Sequence, residues 1–135
     1  MATVHESINI HATPDTVWAL IGSPDAISDW HPAIATSPVS AGVRRCTLEG
    51  GGSLVEPIVE HSDGARFYVY EVAEGPFPMS FYHSRIAVED AEGGSRVVWQ
   101  ADFEPDDPKY EPEMVETFAG IYRAGLDVVR SRCEA

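Results

Sequence analysis

The last quarter of the chain, residues 108–132, has the periodicity of one long amphipathic helix. Apolar side chains recur there at intervals of three and four residues. They are Met114, Phe118, Ile121, Tyr122, Leu126 and Val129. No second helical segment of similar length occurs in the sequence, so this helix needs a sheet to pack against. Because one helix cannot fill the concave side of a long, curved antiparallel sheet, we expect a cavity lined by aromatic and apolar side chains.

The residues before this helix predict such a sheet. Residues 3–11 alternate between apolar and polar side chains, which is typical of a half-buried strand. Thr13-Pro14-Asp15 then begins a short helix, because it combines a capping side chain, a proline and an acidic side chain. A second brief helical turn follows at 25–28. Further strands are predicted at 33–39, 43–49, 53–61, 66–74, 79–90 and 95–104.

The fold class predicted from this order is α+β. Two short helices follow the first strand, and a curved antiparallel seven-stranded sheet wraps around the long C-terminal helix. Nothing in the sequence divides the chain, so residues 1–135 are expected to form a single domain.

Alternation in three predicted strands and in the final helix assigns one set of side chains to the interior. The set is Tyr68, Tyr70, Tyr82, Ser84, Trp99 and Phe103 from the strands, with Met114, Phe118 and Tyr122 from the helix. Aromatic side chains that carry a hydroxyl suit flat ligands with a few oxygen atoms, so these residues are candidates for ligand binding. The alternative is an ordinary aromatic core whose hydroxyls are satisfied by water or by the backbone.

Two charged side chains, Arg45 and Glu56, are predicted to face inward from neighbouring strands joined by the turn Gly50-Gly51-Gly52. Since a lone buried ion is unfavourable by several kcal/mol, we expect them to pair. In one interpretation the pair is a catalytic or anchoring site: Arg45 binds a carboxylate, carbonyl or hydroxyl, and Glu56 accepts or abstracts a proton. In the other, the two residues form a permanent ion pair that closes the cavity floor.

The histidines offer one further candidate. His31 follows Trp30 in a loop expected to border the cavity mouth, so both residues are predicted to contact a ligand. His, Cys and carboxylate residues form no cluster at ligand spacing, so no metal site is predicted. Phosphate-loop, dinucleotide-binding and serine-hydrolase motifs are also missing, and we expect no cofactor.

Charge and composition restrict the class of partner. The net charge of -13 opposes binding to nucleic acid and to anionic membrane surfaces. The sequence has no apolar stretch near the roughly 20 residues that span a bilayer, and its N-terminus lacks the features of a signal peptide. Cys46 and Cys133 are far apart and are interpreted as reduced thiols, although a bridge between them stays open. The expected location is cytoplasmic and the expected partner is a small molecule, while the oligomeric state is not indicated.

The order of predicted elements and several short motifs resemble a known superfamily. The motifs are Ala12 with Val17-Trp18, Trp30, Gly42-Val43-Arg44-Arg45, Glu56, Tyr70, Gly75-Pro76-Phe77-Pro78, Tyr82, Val97-Val98-Trp99 and Ala124-Gly125-Leu126. Together they resemble the SRPBCC superfamily (START/Bet v 1-like) in its polyketide cyclase/dehydrase-like branch. The resemblance implies a helix-grip fold with an internal pocket. It implies no single activity, because the superfamily includes lipid carriers, hormone receptors, cyclases and lyases.

Three functional hypotheses follow. The preferred one is binding of a moderately apolar, oxygen-bearing ligand of polyketide, aromatic or lipid-like type. The second is a cyclase or dehydratase in which Glu56, helped by Arg45 or a tyrosine hydroxyl, moves protons at an enolisable carbon. The third is a protein-interaction module that uses outward Phe81 and His83 on the outer sheet face. Whether the chain is an enzyme stays open at this point.

Overall fold

A computed structural model describes residues 1–135, with one long helix against a large antiparallel sheet. The helices are α1 (Pro14–Ile21), α2 (Ile27–Trp30) and α3 (Glu111–Cys133), with short 3-10 turns at Pro24–Ala26 and Pro108–Tyr110. The strands are β1 (Ala2–Ile10), β2 (Ile34–Thr36), β3 (Val39–Ser40), β4 (Val43–Leu48), β5 (Ser53–Ser62), β6 (Phe67–Glu71), β7 (Met79–Ala91) and β8 (Gly94–Pro105). The predicted α+β class and helix-grip arrangement are confirmed.

All the strand pairs of the sheet are antiparallel. The strand order is β1-β8-β7-β6-β5-β4-β2, and β3 pairs with β4 off this path. Consecutive strands from β4 to β8 are neighbours, as expected of a meander. The first strand instead pairs with the last, so that Ala2 lies opposite Phe103 and Ile10 opposite Ser95.

The predicted strand 33–39 is broken, which makes the sheet eight-stranded rather than seven-stranded. Ser37 lies at the break and is buried. Its hydroxyl donates to the carbonyl of Asp25 at 2.7 Å and accepts the Ser28 N–H at 3.1 Å. Pro38 follows and has no N–H to give to a neighbouring strand. The segment therefore ties the sheet edge to α2 instead of continuing the ladder.

The helices begin and end where local chemistry favours it. The Thr13 hydroxyl accepts the Thr16 N–H at 3.2 Å and caps α1. Helix α3 carries Glu111 and Glu113 in its first turn and Arg130 and Arg132 in its last, which complements the helix dipole. Neither α3 nor any other helix combines the length and the apolar character that crossing a membrane requires.

The two ends of the interior are packed differently. At one end, which we call the packed end, α1 and the C-terminal half of α3 press against β1 and β8. Its side chains are at most 2% exposed, and they include Ile10, Val17, Ile21, Val97, Leu126 and Val129. The other end, the open end, is covered mainly by α2 and the middle of α3, and space remains there.

Candidate functional site

A cavity lies between the concave face of the sheet and the middle of α3. The volume open to the centres of water-sized spheres is about 60 Å³. A single water needs roughly 10–15 Å³ by the same measure, so about four to six waters would fit. The sequence-based expectation that one helix leaves space under the sheet therefore agrees with the geometry.

The mouth of the cavity is apolar. Six lining residues are only partly buried and define this mouth: Ile34, Leu54, Val72, Phe77, Met79 and Ile121. Phe77 comes from the Gly75–Pro78 connection between β6 and β7, and its ring packs edge-on against Phe118 with centroids 4.9 Å apart. An apolar molecule or an apolar part of a molecule would be favoured at this position.

The inner wall carries an ordered chain of hydroxyl groups. The Ser84 hydroxyl donates to the carbonyl of Gln100 at 3.0 Å. Ser84 must then accept the hydroxyl hydrogen of Tyr122, 3.1 Å away, and Tyr122 in turn accepts from Tyr82. Because the chain ends on a carbonyl, the hydrogens of all three hydroxyls are already used.

Trp99 extends this wall. Its indole stacks on the Tyr122 ring with centroids 4.2 Å apart and planes 4° from parallel. Its Nε1–H donates to the Tyr70 hydroxyl at 3.2 Å. Burial raises the pKa of Tyr122 to about 12, and it raises the pKa of Tyr70 and Tyr82 well above the ordinary value. The tyrosines are therefore neutral in ordinary conditions.

The floor of the cavity contains a buried ion pair between Arg44 and Glu56. Arg44 Nε lies 2.8 Å from Glu56 Oε1, and the arginine side chain has no exposed surface. Arg44 Nη1 also donates to the Pro24 carbonyl at 2.8 Å and to the Tyr68 hydroxyl at 3.0 Å. Burial acts to lower the pKa of Arg44, but Tyr68, Glu56 and Tyr70 outweigh it and leave that pKa raised. The guanidinium is therefore permanently charged and held in place.

Arg44 occupies the position that the sequence analysis assigned to Arg45, so the face predicted for Arg45 is wrong. In β4 the inward residues are Arg44 and Cys46, while Arg45 is exposed. The prediction followed apolar Val43, but this strand has no clean alternation of apolar residues. The partners that Arg44 finds on β5, β6 and the Pro24 turn decide the face, because a buried guanidinium needs several acceptors. Exposed Arg45 reaches no part of the cavity lining.

Glu56 is the charged residue of the cavity lining. Its Oε1 accepts from Arg44 Nε and from the Cys46 thiol, whose sulfur is 3.2 Å away. Burial, followed by the charge of Glu56, raises the pKa of Cys46 to about 12, so that thiol stays protonated. Glu56 Oε2 makes no hydrogen bond, although the residue is only 4% exposed. The carboxylate therefore offers one free acceptor oxygen at the cavity surface.

His31 lines the cavity with both ring nitrogens occupied. Nδ1 accepts the Ala33 N–H at 3.1 Å, so Nε2 carries the hydrogen that it donates to the Ile121 carbonyl at 2.8 Å. Burial lowers the pKa of His31, which the bond to Ile121 only partly opposes. The residue therefore joins α2 to α3 as a neutral imidazole. Its neighbour Trp30 is buried and packs edge-on against Trp99, but it does not reach the lining.

The predicted site residues fall into two groups. The cavity lining contains Glu56, His31, Tyr70, Tyr82, Trp99, Phe118 and Tyr122. Buried positions outside the lining are taken by Trp30, Tyr68, Ser84, Phe103 and Met114. Tyr68 and Ser84 still act on the site, since they hold Arg44 and Tyr122 respectively.

The apolar mouth was missed by sequence reasoning. Residues such as Ile34, Leu54 and Ile121 carry no chemical signal that separates a cavity wall from ordinary core. For Phe77 the sequence does carry a signal of its position. The residue lies between two prolines in a turn, which indicates an aromatic side chain next to the sheet but outside its strands.

Outside the cavity, Phe81 and His83 stack on the outer sheet face. The structure shows no group of three or more His, Cys, Asp or Glu residues arranged to hold a metal ion.

The family model for polyketide cyclase/dehydrase and lipid transport proteins matches residues 1–134. The chain belongs to this family. The resemblance to the polyketide cyclase/dehydrase-like branch of the SRPBCC superfamily is therefore confirmed.

Solved structures agree with this membership. The protein XoxI from Bacillus cereus is 32% identical, with a TM-score of 0.92 over 98% of this chain and 96% of that chain. A START superfamily protein from Mycobacterium smegmatis is 13% identical, with a TM-score of 0.82 over 98% and 97% of the two chains. The ZhuI aromatase/cyclase from Streptomyces sp. R1128 is 15% identical, with a TM-score of 0.81 over 98% and 93%. The last two show similarity of fold alone. A comparison with curated protein sequences gives no match.

Proposed function

We propose that the chain binds a small, mainly apolar, oxygen-bearing molecule in the cavity between its sheet and α3. The observation that carries the proposal is the contrast within one cavity, where a mouth of six apolar residues leads to an inner wall of tyrosines and a carboxylate. Such a lining, mostly apolar with few placed polar groups, is typical of ligand pockets. Membership of a family described by cyclases, dehydrases and lipid transport supports the same class of ligand.

Size restricts the ligand further. Four to six waters correspond to roughly 120–180 Å³ of liquid, which is the scale of an engineered cavity known to bind benzene. A single ring or a short chain therefore fits the cavity of about 60 Å³ as it stands. A polyketide or lipid with several rings or a long tail would extend through the mouth, past Phe77 and Ile34.

Tryptophan fluorescence tests this proposal. Trp99 lines the cavity and contacts Trp30, whereas Trp18 lies elsewhere against Asp63. A Trp18→Phe background would leave the two informative tryptophans, which are expected to show saturable quenching by an aromatic, polyketide, flavonoid or fatty-acid probe. Absence of saturable quenching by every class would contradict the proposal.

A matched pair of variants separates the cavity from the surface. Val72→Phe places a ring in the mouth, and Val59→Phe makes the same change at a residue that is 50% exposed outside the lining. We expect Val72→Phe to weaken binding at least tenfold and Val59→Phe to leave it unchanged. Equal behaviour of the two variants would place the ligand elsewhere.

Proton transfer on a bound ketone is a second candidate function, and it is favoured by the free Oε2 of Glu56. A general base must lie within hydrogen-bond reach of the proton that it removes, and this oxygen is the unpartnered carboxylate oxygen of the lining. The carbon loses its proton to Oε2, and the enolate formed is the intermediate that cyclisation with dehydration requires. Structural similarity to an aromatase/cyclase is compatible with this chemistry.

Deuterium exchange tests the second candidate. Phenylacetone, which has one ring and an enolisable carbon, would be incubated with the protein in D2O and followed by NMR. If Glu56 acts as a base, Glu56→Gln should lower the protein-dependent exchange rate by about a hundredfold or more. Exchange that is equal in wild type, Glu56→Gln and buffer would leave binding as the only function.

We also propose the cytoplasm as the site of action and a small molecule, rather than nucleic acid, as the partner. Two unpaired cysteines suit a reducing compartment. The net charge of -13 disfavours polyanions. Fractionation followed by immunodetection of the native chain would test the location, and a gel-shift titration at low salt would test the partner.

A further inference from the structure

Most polar groups of the cavity already have their hydrogen-bond partners within the protein. The hydroxyl hydrogens of Tyr82 and Tyr122 are used in the chain that ends at Gln100. The Trp99 N–H is given to Tyr70, and His31 uses both nitrogens on the backbone. None of these groups needs a ligand to be satisfied.

Glu56 differs, because one of its oxygens is unused. Oε1 accepts from both Arg44 Nε and the Cys46 thiol, while Oε2 has no partner within the protein and is not fully buried, so it is accessible from the cavity that Glu56 lines. A ligand that enters the cavity takes this charged oxygen away from water, which is unfavourable unless the ligand supplies a hydrogen bond of its own. A ligand that donates a hydrogen to Oε2 would meet this requirement.

The position of Arg44 determines which charge a ligand group beside Glu56 can carry. Glu56 belongs to the cavity lining, whereas Arg44, which contacts it at 2.8 Å, does not and has no exposed surface. A carboxylate ligand would therefore meet Glu56 before it could reach Arg44, and two carboxylates that share a site repel each other. The sequence analysis expected Arg45 to bind a ligand carboxylate, carbonyl or hydroxyl, but in this geometry Glu56 is the charged group that a ligand would meet.

An ammonium group is also disfavoured. Arg44 already neutralises Glu56 at 2.8 Å, so a second cation would share one carboxylate with it. The ammonium would also lose its hydration among mainly apolar walls. A neutral hydroxyl keeps the charge balance and donates one hydrogen bond to a charged acceptor, which is a favourable combination.

The structure assigns the cavity to a single-ring phenol or similarly sized neutral hydroxyl compound, with the hydroxyl on Glu56 Oε2 and the apolar end toward the mouth. This inference rests on the proposed binding function and specifies the ligand of that same site. The ring would lie against Tyr70, Tyr82 and Trp99, and the substituent opposite the hydroxyl would point toward Phe77 and Ile34. Free fatty acids and aromatic acids are excluded by the same argument.

Four probes of nearly equal shape test the assignment: p-cresol, p-xylene, p-toluate and 4-methylbenzylammonium. At neutral pH they present a hydroxyl, a methyl group, an anion and a cation at one position of the same methyl-substituted ring. Dissociation constants would be measured by ¹H–¹⁵N NMR titration of the full chain, with the indole N–H signals of Trp30 and Trp99 as local reporters. We expect p-cresol to bind at least about tenfold more tightly than p-xylene, and the two ions to bind more weakly than p-xylene.

Variants test whether Glu56 is the cause. The double variant Arg44→Met/Glu56→Leu replaces the ion pair by apolar side chains, a change that often preserves folding when both charges are removed together. In this variant the ratio of the p-xylene to the p-cresol dissociation constant should fall to about one. Arg45→Met, the same substitution at the exposed neighbouring residue, should retain the wild-type ratio.

Each outcome has a distinct meaning. Binding of p-xylene and p-cresol with equal affinity, or preference for p-toluate or for the ammonium compound, would overturn this inference while the proposed binding function stands. A preference for p-cresol that persists in the double variant would also overturn it, because the hydroxyl would then bind elsewhere. Failure of all four probes, together with the absence of tryptophan quenching, would remove the proposed function and this inference with it.

Discussion

The packed end and the open end of the interior are stabilised by different kinds of contact. At the packed end, α1 and α3 bring together aliphatic side chains such as Val17, Ile21 and Leu126, which are at most 1% exposed. At the open end, a buried ion pair, a hydroxyl chain and stacked aromatic rings hold the walls in position. Aliphatic packing closes space, whereas directional bonds fix side chains that need not touch one another. The difference explains how one small sheet can have both a dense core and a cavity.

The largest expected effect comes from breaking the ion pair of the open end. Arg44→Met alone leaves the Glu56 carboxylate buried without its cation, and we expect a loss of about 3–5 kcal/mol in the free energy of unfolding. Arg44→Met/Glu56→Leu should recover most of that loss. Urea denaturation followed by circular dichroism would measure both. A single variant as stable as the double variant would show that the Glu56 carboxylate carries no penalty when its cation is removed.

Truncation of aliphatic residues contrasts the two ends directly. Leu126→Ala removes a side chain that is 1% exposed at the packed end, and it should lower the free energy of unfolding by about 3 kcal/mol. Ile34→Ala at the partly exposed mouth should lower it by about 1 kcal/mol, because less apolar surface is returned to water. Equal losses in the same urea experiment would contradict the distinction between the ends.

Two glycines of α3 sharpen the contrast at smaller amplitude. A Cβ on Gly125 would lie 2.5 Å from His31 Cδ2 and 2.9 Å from Trp30 Cζ3, so Gly125→Ala should destabilise the fold by about 1–3 kcal/mol. A Cβ on Gly120 would have no neighbour within 4 Å. Gly120→Ala should therefore stabilise α3 by about 0.5–1 kcal/mol through helix propensity. Thermal unfolding of the two variants should shift in opposite directions, and a shift in the same direction would refute this explanation.

The smallest effect concerns pH and His31, which lines the cavity at the open end and is hydrogen-bonded to the Ile121 carbonyl of α3. Burial lowers its pKa in the folded protein from the ordinary value of 6.5 that applies to the unfolded chain. Between these two values the unfolded state binds more protons, so this stabilising contribution is complete above about pH 6.5 and declines as the pH falls. The slope is at most about 1.4 kcal/mol per pH unit. Urea titrations at pH 8, 6.5 and 5 should show this slope in wild type and a smaller one in His31→Asn.

Much of the fold could be predicted from periodicity. In α3 the three- and four-residue spacing fixes the buried face, and in β7 and β8 regular alternation correctly places Tyr82, Ser84, Trp99 and Phe103 inside. These elements are long, and one face of each is buried against many neighbours, so a wrong register would expose every apolar residue at once. Shorter elements carry less information. The residues of segment 33–39 predict one continuous strand. The break at Ser37 is not predicted, because it depends on the buried hydrogen bond to Asp25, a tertiary contact that no local pattern reveals.

The site could be predicted only in outline. The sequence indicates that a buried Glu56 needs a cation as its partner. It does not indicate whether Arg44 or Arg45 supplies that cation, because the inward position of Arg44 depends on three partners distant in sequence. The size of the cavity depends on the shape of the whole sheet and on where Gly125 lets α2 approach α3. Tyr70 lines the cavity and Tyr68 lies behind it, although both belong to the same alternating set of side chains. Alternation predicts which face of a strand points inward, but it does not predict which inward side chains reach the cavity.

The pairing of β1 with β8 affects how the chain emerges from the ribosome. Ala2 can meet Phe103 only after about a hundred residues have been made, which takes roughly 5–20 s at ordinary translation rates. Until β8 has been made, the β7–β8 hairpin cannot form and β1 has no strand to pair with. Among the strands, β1 thus waits longest for its sheet partner, and His5, Ser7 and Asn9 keep one of its faces polar throughout that wait.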